Sequence, residues 1–80
     1  MLIEVTQEDI DNGEKVQADR CAVAIALQRC GFINAHISQS NIVYGVPYKS
    51  IETPFAASEF IKHYDANDEV KPFSFELDID

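Results

Sequence analysis

The chain has 80 residues, 46% of them hydrophobic, and a net charge of -8 at pH 7 from fourteen acidic and six basic residues. This composition is typical of one globular domain, residues 1–80, and argues against disorder. The acidity excludes conventional binding to nucleic-acid phosphates or to an anionic membrane surface, because both need a basic patch. No stretch reaches the roughly 18 apolar residues of a membrane span, and no signal peptide is evident. We therefore expect a cytoplasmic protein.

The first residues predict a strand over 2–5 followed by a short helix. Thr6 is a candidate N-cap, and Asp9, three residues later, completes a capping box. We expect Asn12-Gly13 to end this helix, because both residues tolerate a positive φ. The acidic residues of the helix favour its positively polarised first turn, and their spacing lacks the ligand series of a calcium-binding loop. No metal site is predicted here.

The next segment contains an unbroken apolar run, Cys21–Leu27. An amphipathic surface helix would carry polar residues on one side, so this run predicts the buried core helix of a small domain. We expect a helix of 11 to 17 residues that begins near Glu14 or is capped by Asp19 and ends at Gly31. Within such a helix Cys21 and Cys30 lie about 13 Å apart, too far for a disulfide, so both thiols are expected to be free.

The second half of the chain predicts three short strands, a helix and a final strand. Alternating residues indicate strands over 34–38, 42–44 and 48–51, the last two in an antiparallel hairpin. Thr53-Pro54 predicts a helix start that continues to residue 65, with Phe55 on its apolar stripe. The last strand, 72–80, alternates most clearly, and its expected core-facing residues are Phe73, Phe75, Leu77 and Ile79.

These elements predict an α+β fold, a two-layer sandwich. We expect an antiparallel sheet of about four to five strands with two main helices on one face. The first and last strands are natural neighbours, and their pairing would place Glu4, Glu76 and Asp78 on an acidic outer face.

Candidate catalytic groups are few. Cys21 at a helix N-terminus, beside Arg20, with His36 or His63 as a base, would be a reactive thiol site, because helix N-termini and cations lower thiol pKa values. The chain lacks paired cysteines with zinc-ligand spacing, a glycine-rich phosphate loop and a serine nucleophile motif. We therefore predict a non-enzymatic protein with no metal and no cofactor.

Several segments carry a family resemblance: Val5–Ile10, Gly13, Cys21–Leu27 and Val70–Leu77. In these segments, about half of the chain, the sequence resembles a family of small uncharacterised proteins of bacteriophages and prophage-rich bacterial genomes. The resemblance implies a phage or mobile-element origin and no established activity. Members tend to carry a proline after the helix cysteine and another cysteine a few residues earlier, whereas this chain has Ala22 and the pair Gln17-Ala18. That departure argues against a shared redox or metal role.

The leading functional hypothesis is a small acidic interaction protein that binds a host protein with a basic surface and does not bind nucleic acid or membrane. Blocking a nucleic-acid-binding surface, as an anti-CRISPR inhibitor would, is one concrete form. The alternatives are a thiol-dependent or small-ligand site around Cys21 and a homodimeric structural module; the chain is expected to be a monomer or a homodimer. The predicted partner-binding residues are exposed acids on the last strand and the preceding loop: Glu76, Asp78, Asp65, Asp68 and Glu69.

Overall fold

The computed structural model describes residues 1–77. Within this range the chain forms three helices and five strands, and no helix is long and apolar enough to cross a membrane. In chain order the elements are β1 (Leu2–Val5), α1 (Gln7–Asn12), α2 (Ala22–Arg29), β2 (His36–Ile37), β3 (Asn41–Tyr44), β4 (Lys49–Glu52), α3 (Phe55–Asp65) and β5 (Phe73–Glu76).

The strands pair into two antiparallel sheets. β1 pairs with β5, and β2, β3 and β4 form a meander in that order. The α+β class and the pairing of the first strand with the last, both predicted from the sequence, are confirmed. The strands of the described chain are divided between a two-stranded and a three-stranded sheet, and α2 packs against one strand of each, β1 and β2.

The alternation predicted for the last strand is confirmed over the described residues. Phe75 and Leu77 are buried and Phe73 is half-buried, whereas Ser74 and Glu76 are exposed. This sheet therefore has one dry face and one wet face. The predicted inward residue Ile79 and the predicted outward residues Asp78 and Asp80 lie outside the described range.

The apolar run forms the core helix as predicted, but that helix is shorter than expected. α2 has 8 residues and Cys21 as its N-cap, not Asp19 or a start near Glu14. The preceding segment turns instead, since Val16 has a φ of 62° and its N–H donates to the carboxylate of Asp65 at 2.8 Å. Local backbone bonds, such as that from the Glu14 N–H to the Arg20 carbonyl at 2.8 Å, complete these turns, so the helix begins only at Ala22.

Two glycines end helices in different ways. Gly31 follows α2 with a φ of 97°, as predicted, in the left-handed region that favours glycine. Gly13 ends α1 as its C-cap, which confirms the predicted end of this helix, but its φ is -74° and no positive φ is used. A Cβ on Gly13 would lie 2.4 Å from the Tyr64 hydroxyl and 2.7 Å from the backbone nitrogen of Ala22. Glycine is needed at position 13 because α1, α2 and α3 approach each other there.

The start of α3 differs in detail from the prediction. Pro54 is the N-cap, and the hydroxyl of Thr53 donates to the carbonyl of Ser38 at 2.8 Å instead of capping the helix. Phe55 is 80% exposed, so it does not belong to the buried stripe. The stripe consists of four residues of the helix, all facing the core: Ala57, Phe60, Ile61 and Tyr64.

Candidate protein interaction surface

Acidic residues are unevenly distributed along the chain. Residues 1–14 and 65–80 together hold eleven of the fourteen acidic residues and only one of the six basic residues, Lys71. By contrast, residues 20–51 contain no Asp or Glu but include Arg20, Arg29 and Lys49. The acidity is therefore a property of the two terminal segments and not of the chain as a whole.

The fold brings these two acidic segments together. In the β1–β5 register Leu2 lies opposite Glu76 and Glu4 lies opposite Ser74. Directly opposed residues share a face, so all four side chains lie on the outer face of this sheet, where they are exposed. Glu4 and Glu76 are diagonal neighbours on that face, which confirms the predicted placement of these two residues.

The first helix carries further exposed acids close to β1 along the chain. α1 begins two residues after β1, and its acids Glu8 and Asp11 are exposed. Asp11 accepts a hydrogen bond from the side-chain amide of Gln7 at 2.9 Å, which leaves its charge in place. We call the exposed acids of β1, α1 and β5 the terminal acidic surface: Glu4, Glu8, Asp11 and Glu76.

One acidic residue of α1 is buried behind this surface and holds the region together. Asp9 is 3% exposed, forms an ion pair with Arg29 and completes the predicted capping box with Thr6. Burial acts to raise the pKa of Asp9, but the hydrogen bonds from Arg29 and Thr6 outweigh burial and hold its pKa below the ordinary value. Arg29 also donates to the Glu4 carbonyl at 2.8 Å, so a single guanidinium joins α2 to both α1 and β1.

The structure places the other predicted site residues in separate positions. Asp65 is half-buried and accepts the Val16 N–H, and Asp68 pairs with His63 at 3.0 Å, so both carboxylates have partners within the protein. Glu69 is exposed beyond the end of α3. Glu76 lies 3.3 Å from the N-terminal ammonium in a solvent-exposed pair, which is a weak interaction. Asp78 lies outside the described residues.

The outer face of the three-stranded sheet has a different character. His36, Val43 and Ser50 lie in line across β2, β3 and β4. The ring of Tyr48, 63% exposed, lies 6.0 Å from that of His36. The acidic residue of this sheet is Glu52, at the end of β4. This second surface is nearly uncharged.

The geometry around Cys21 is that of a structural thiol. Cys21 is 3% exposed, and burial raises the pKa of its thiol despite the opposing helix N-terminal amides of Ala24 and Val23. The depression beside it has a volume of about 200 Å³, smaller than the roughly 300 to 1,000 Å³ of ordinary ligand pockets. Cys30 is also a free thiol, as expected from the helix spacing. No group of three His, Cys, Asp or Glu side chains within residues 1–77 is arranged to hold a metal ion.

Comparison with known proteins adds no family. No protein-family model, no curated protein and no solved structure matches the chain.

Sequence reasoning missed the part of the acidic surface that α1 supplies. The helix dipole accounts for the acids of α1 in the sequence, whereas the predicted site residues Asp65 and Asp68 are bound within the protein. The uneven distribution of acids along the chain was the available signal. Combined with the predicted pairing of the first and last strands, it locates the charge at the paired termini.

Proposed function

We propose that this protein is a small, acidic, non-enzymatic interaction protein that binds a host protein with a basic surface. The observation that supports this function is the terminal acidic surface, where Glu4 and Glu76 share the wet face of the β1–β5 sheet. Complementary charge steers encounter and excludes partners of the wrong sign. The described residues offer a charged surface and no catalytic constellation, so binding is the activity that fits them best.

The chemistry of the partner follows from this surface. Proteins that hold nucleic-acid backbones expose Lys and Arg in rows, and an array of carboxylates competes for them. The protein would then cover a nucleic-acid-binding surface of its partner, as an anti-defence inhibitor does. The resemblance to phage and prophage proteins supports a bacterial cytoplasm as the site of this encounter.

A pull-down from bacterial lysate, repeated across salt concentrations, tests the proposal. The Debye length falls from about 10 Å at 0.1 M salt to about 3 Å at 1 M. We therefore expect captured protein to be released as salt rises, with at least a tenfold loss over this range. Capture that does not depend on salt would contradict a charge-driven function.

A matched pair of variants locates the binding surface. Glu4→Lys/Glu76→Lys changes the terminal acidic surface, whereas Asp19→Lys/Glu52→Lys changes two acids outside it; both variants have the same net charge. We expect the first variant to lose capture and the second to retain it. Equal loss in both would show that net charge, and not this surface, is responsible.

A further inference from the structure

β5 is an edge strand with open backbone groups. Met1 and Leu77 exchange two backbone hydrogen bonds of 2.8 Å, and such doubly bonded pairs recur at every second position of an antiparallel ladder. Phe75 therefore directs its N–H and C=O to β1, whereas Ser74 and Glu76 direct theirs away. Both of these residues are exposed, and no backbone group within residues 1–77 bonds to their outward N–H and C=O.

The opposite edge of the same sheet is partly occupied. On β1 the outward carbonyl of Glu4 accepts a hydrogen bond from Arg29, and α2 packs against the strand. A sheet of two strands is marginal by itself and gains from a third. Within the described residues, the edge of this sheet with unbonded backbone groups on both Ser74 and Glu76 is β5, so a third strand from another molecule would add there.

Charge distinguishes this edge from the other candidate edge, β4. The backbone N–H of Thr53 donates to the Ser40 carbonyl at 3.0 Å. Because bonded positions alternate along an antiparallel ladder, the backbone groups of Ser50 and Glu52 point away from β3. That edge strand carries one acid, Glu52, and one base, Lys49, so its formal charges cancel. At β5, by contrast, an added strand would place its side chains about 4.8 Å from Glu76 and about twice that distance from Glu4. A basic strand is therefore favoured at β5 and not at β4.

We propose that β5 accepts an extended, lysine- or arginine-bearing segment of the partner as an added antiparallel strand. This inference rests on the proposed function and specifies the form in which the basic surface is bound. Outward backbone groups of Ser74 and Glu76 bond to every second residue of the incoming segment, and the side chains of those residues lie on the face that carries Glu4 and Glu76. The recognised sequence carries basic residues at alternate positions. Pro72, which has no N–H, limits the pairing to a few residues.

Backbone methylation of a synthetic peptide tests this geometry. The probe is an eight-residue peptide of alternating lysine and threonine, titrated into the ¹⁵N-labelled full chain. In the proposed register the lysine N–H groups face β5 and the threonine N–H groups face solvent. N-methylation of the lysines removes the bonds to β5 and should weaken binding roughly tenfold or more, whereas N-methylation of the threonines should leave it unchanged. Shifts should be largest at the amides of Ser74 and Glu76.

A protein variant provides an independent arm. Ser74→Pro removes one outward N–H and leaves the bonds to β1 intact, and Ser50→Pro makes the same change at the β4 edge. We expect only Ser74→Pro to weaken peptide binding. Equal binding of the two methylated peptides, or greater loss from threonine methylation, overturns strand addition. If binding then still weakens with salt, charge-driven capture stands and only its strand form fails. If the unmethylated peptide does not bind at all, strand addition fails, and the pull-down from lysate decides the proposed function.

Discussion

The two sheets of this protein use similar strands for different surfaces. Both present a wet outer face, yet the β1–β5 face carries Glu4 and Glu76, whereas the β2–β3–β4 face carries His36, Val43 and Ser50. Four of the five strands, β1, β3, β4 and β5, have four residues each, so strand length does not explain the difference. It follows from the concentration of acids in the terminal segments, which the fold then pairs.

The two regions also differ in what supports them from behind. Both sheets pack buried apolar residues into the core, Ile3 and Val5 on one side and Ile37 and Ile42 on the other. Beside the acidic sheet, the pair between Asp9 and Arg29 adds an ionic contact, and Arg29 also bonds to the carbonyl of Glu4. A region of high negative charge density is thus held by a cation that reaches into it. This contrast predicts different sensitivities to mutation and to pH.

The largest expected effect on stability is that of Arg29→Ala. The change leaves the Asp9 carboxylate buried without its cation and removes the bond to the Glu4 carbonyl, so we expect the free energy of unfolding to fall by about 3 kcal/mol. Urea denaturation measures it. Arg20→Ala is the control, since its ion pairs are exposed and its removal should cost less than about 0.5 kcal/mol. Equal losses of stability in the two variants would mean that the pair between Asp9 and Arg29 stabilises the protein no more than an exposed ion pair does.

Gly13→Ala should have the next largest effect. Its Cβ would meet the backbone nitrogen of Ala22 and the Tyr64 hydroxyl at impossibly short distances, so helices must separate. We expect a loss of about 2 kcal/mol in thermal or urea unfolding. Gly31→Ala has open space around its Cβ but a φ of 97°, and should cost about 1 kcal/mol. A larger loss at Gly31 than at Gly13 would contradict the close approach of the helices.

Acid should lower the stability of the protein through the Asp9 carboxylate. The folded-state pKa of Asp9 is held below its ordinary value of 3.8. Its contribution to stability is therefore present above the unfolded-state pKa and is lost as pH falls through the folded-state value. Between pH 5 and pH 3 we expect the free energy of unfolding of the native protein to fall more steeply than that of Asp9→Asn. Identical pH profiles would show that the ion pair is not linked to folding.

The smallest effects are expected at the exposed residues of the β3–β4 turn. Val46 and Tyr48 are 79% and 63% exposed, so Val46→Ser and Tyr48→Ser should each change stability by less than about 0.5 kcal/mol. Both should also leave capture from lysate unchanged, because neither lies on the terminal acidic surface. Loss of capture in Tyr48→Ser would indicate that the partner binds the nearly uncharged face of the three-stranded sheet.

Local features of this fold could be predicted from the sequence because their causes are local. The Thr6–Asp9 capping box and the alternation of Phe73–Leu77 depend on neighbours three or two residues apart. The apolar Cys21–Leu27 run identified the core helix for the same reason.

Long-range features could not be predicted in this way. The sequence does not show that Asp65 accepts a bond from Val16, 49 residues away, or that Arg29 reaches Asp9, 20 residues away. The sequence does not distinguish a buried or hydrogen-bonded carboxylate from a free one. The choice of site residues among the acids therefore needed the tertiary structure, as did the division of the strands into two sheets.

The central claim, that negative charge is concentrated on the terminal acidic surface, has a direct test that requires no partner. Paramagnetic relaxation of every backbone amide by a soluble cationic nitroxide is compared with that by its neutral analogue, since the ratio reports the local electrostatic potential. We predict that the cationic probe is enriched at the amides of β1, α1 and β5 and not at those of β3 and β4. An equal ratio over the two sheets would contradict the account.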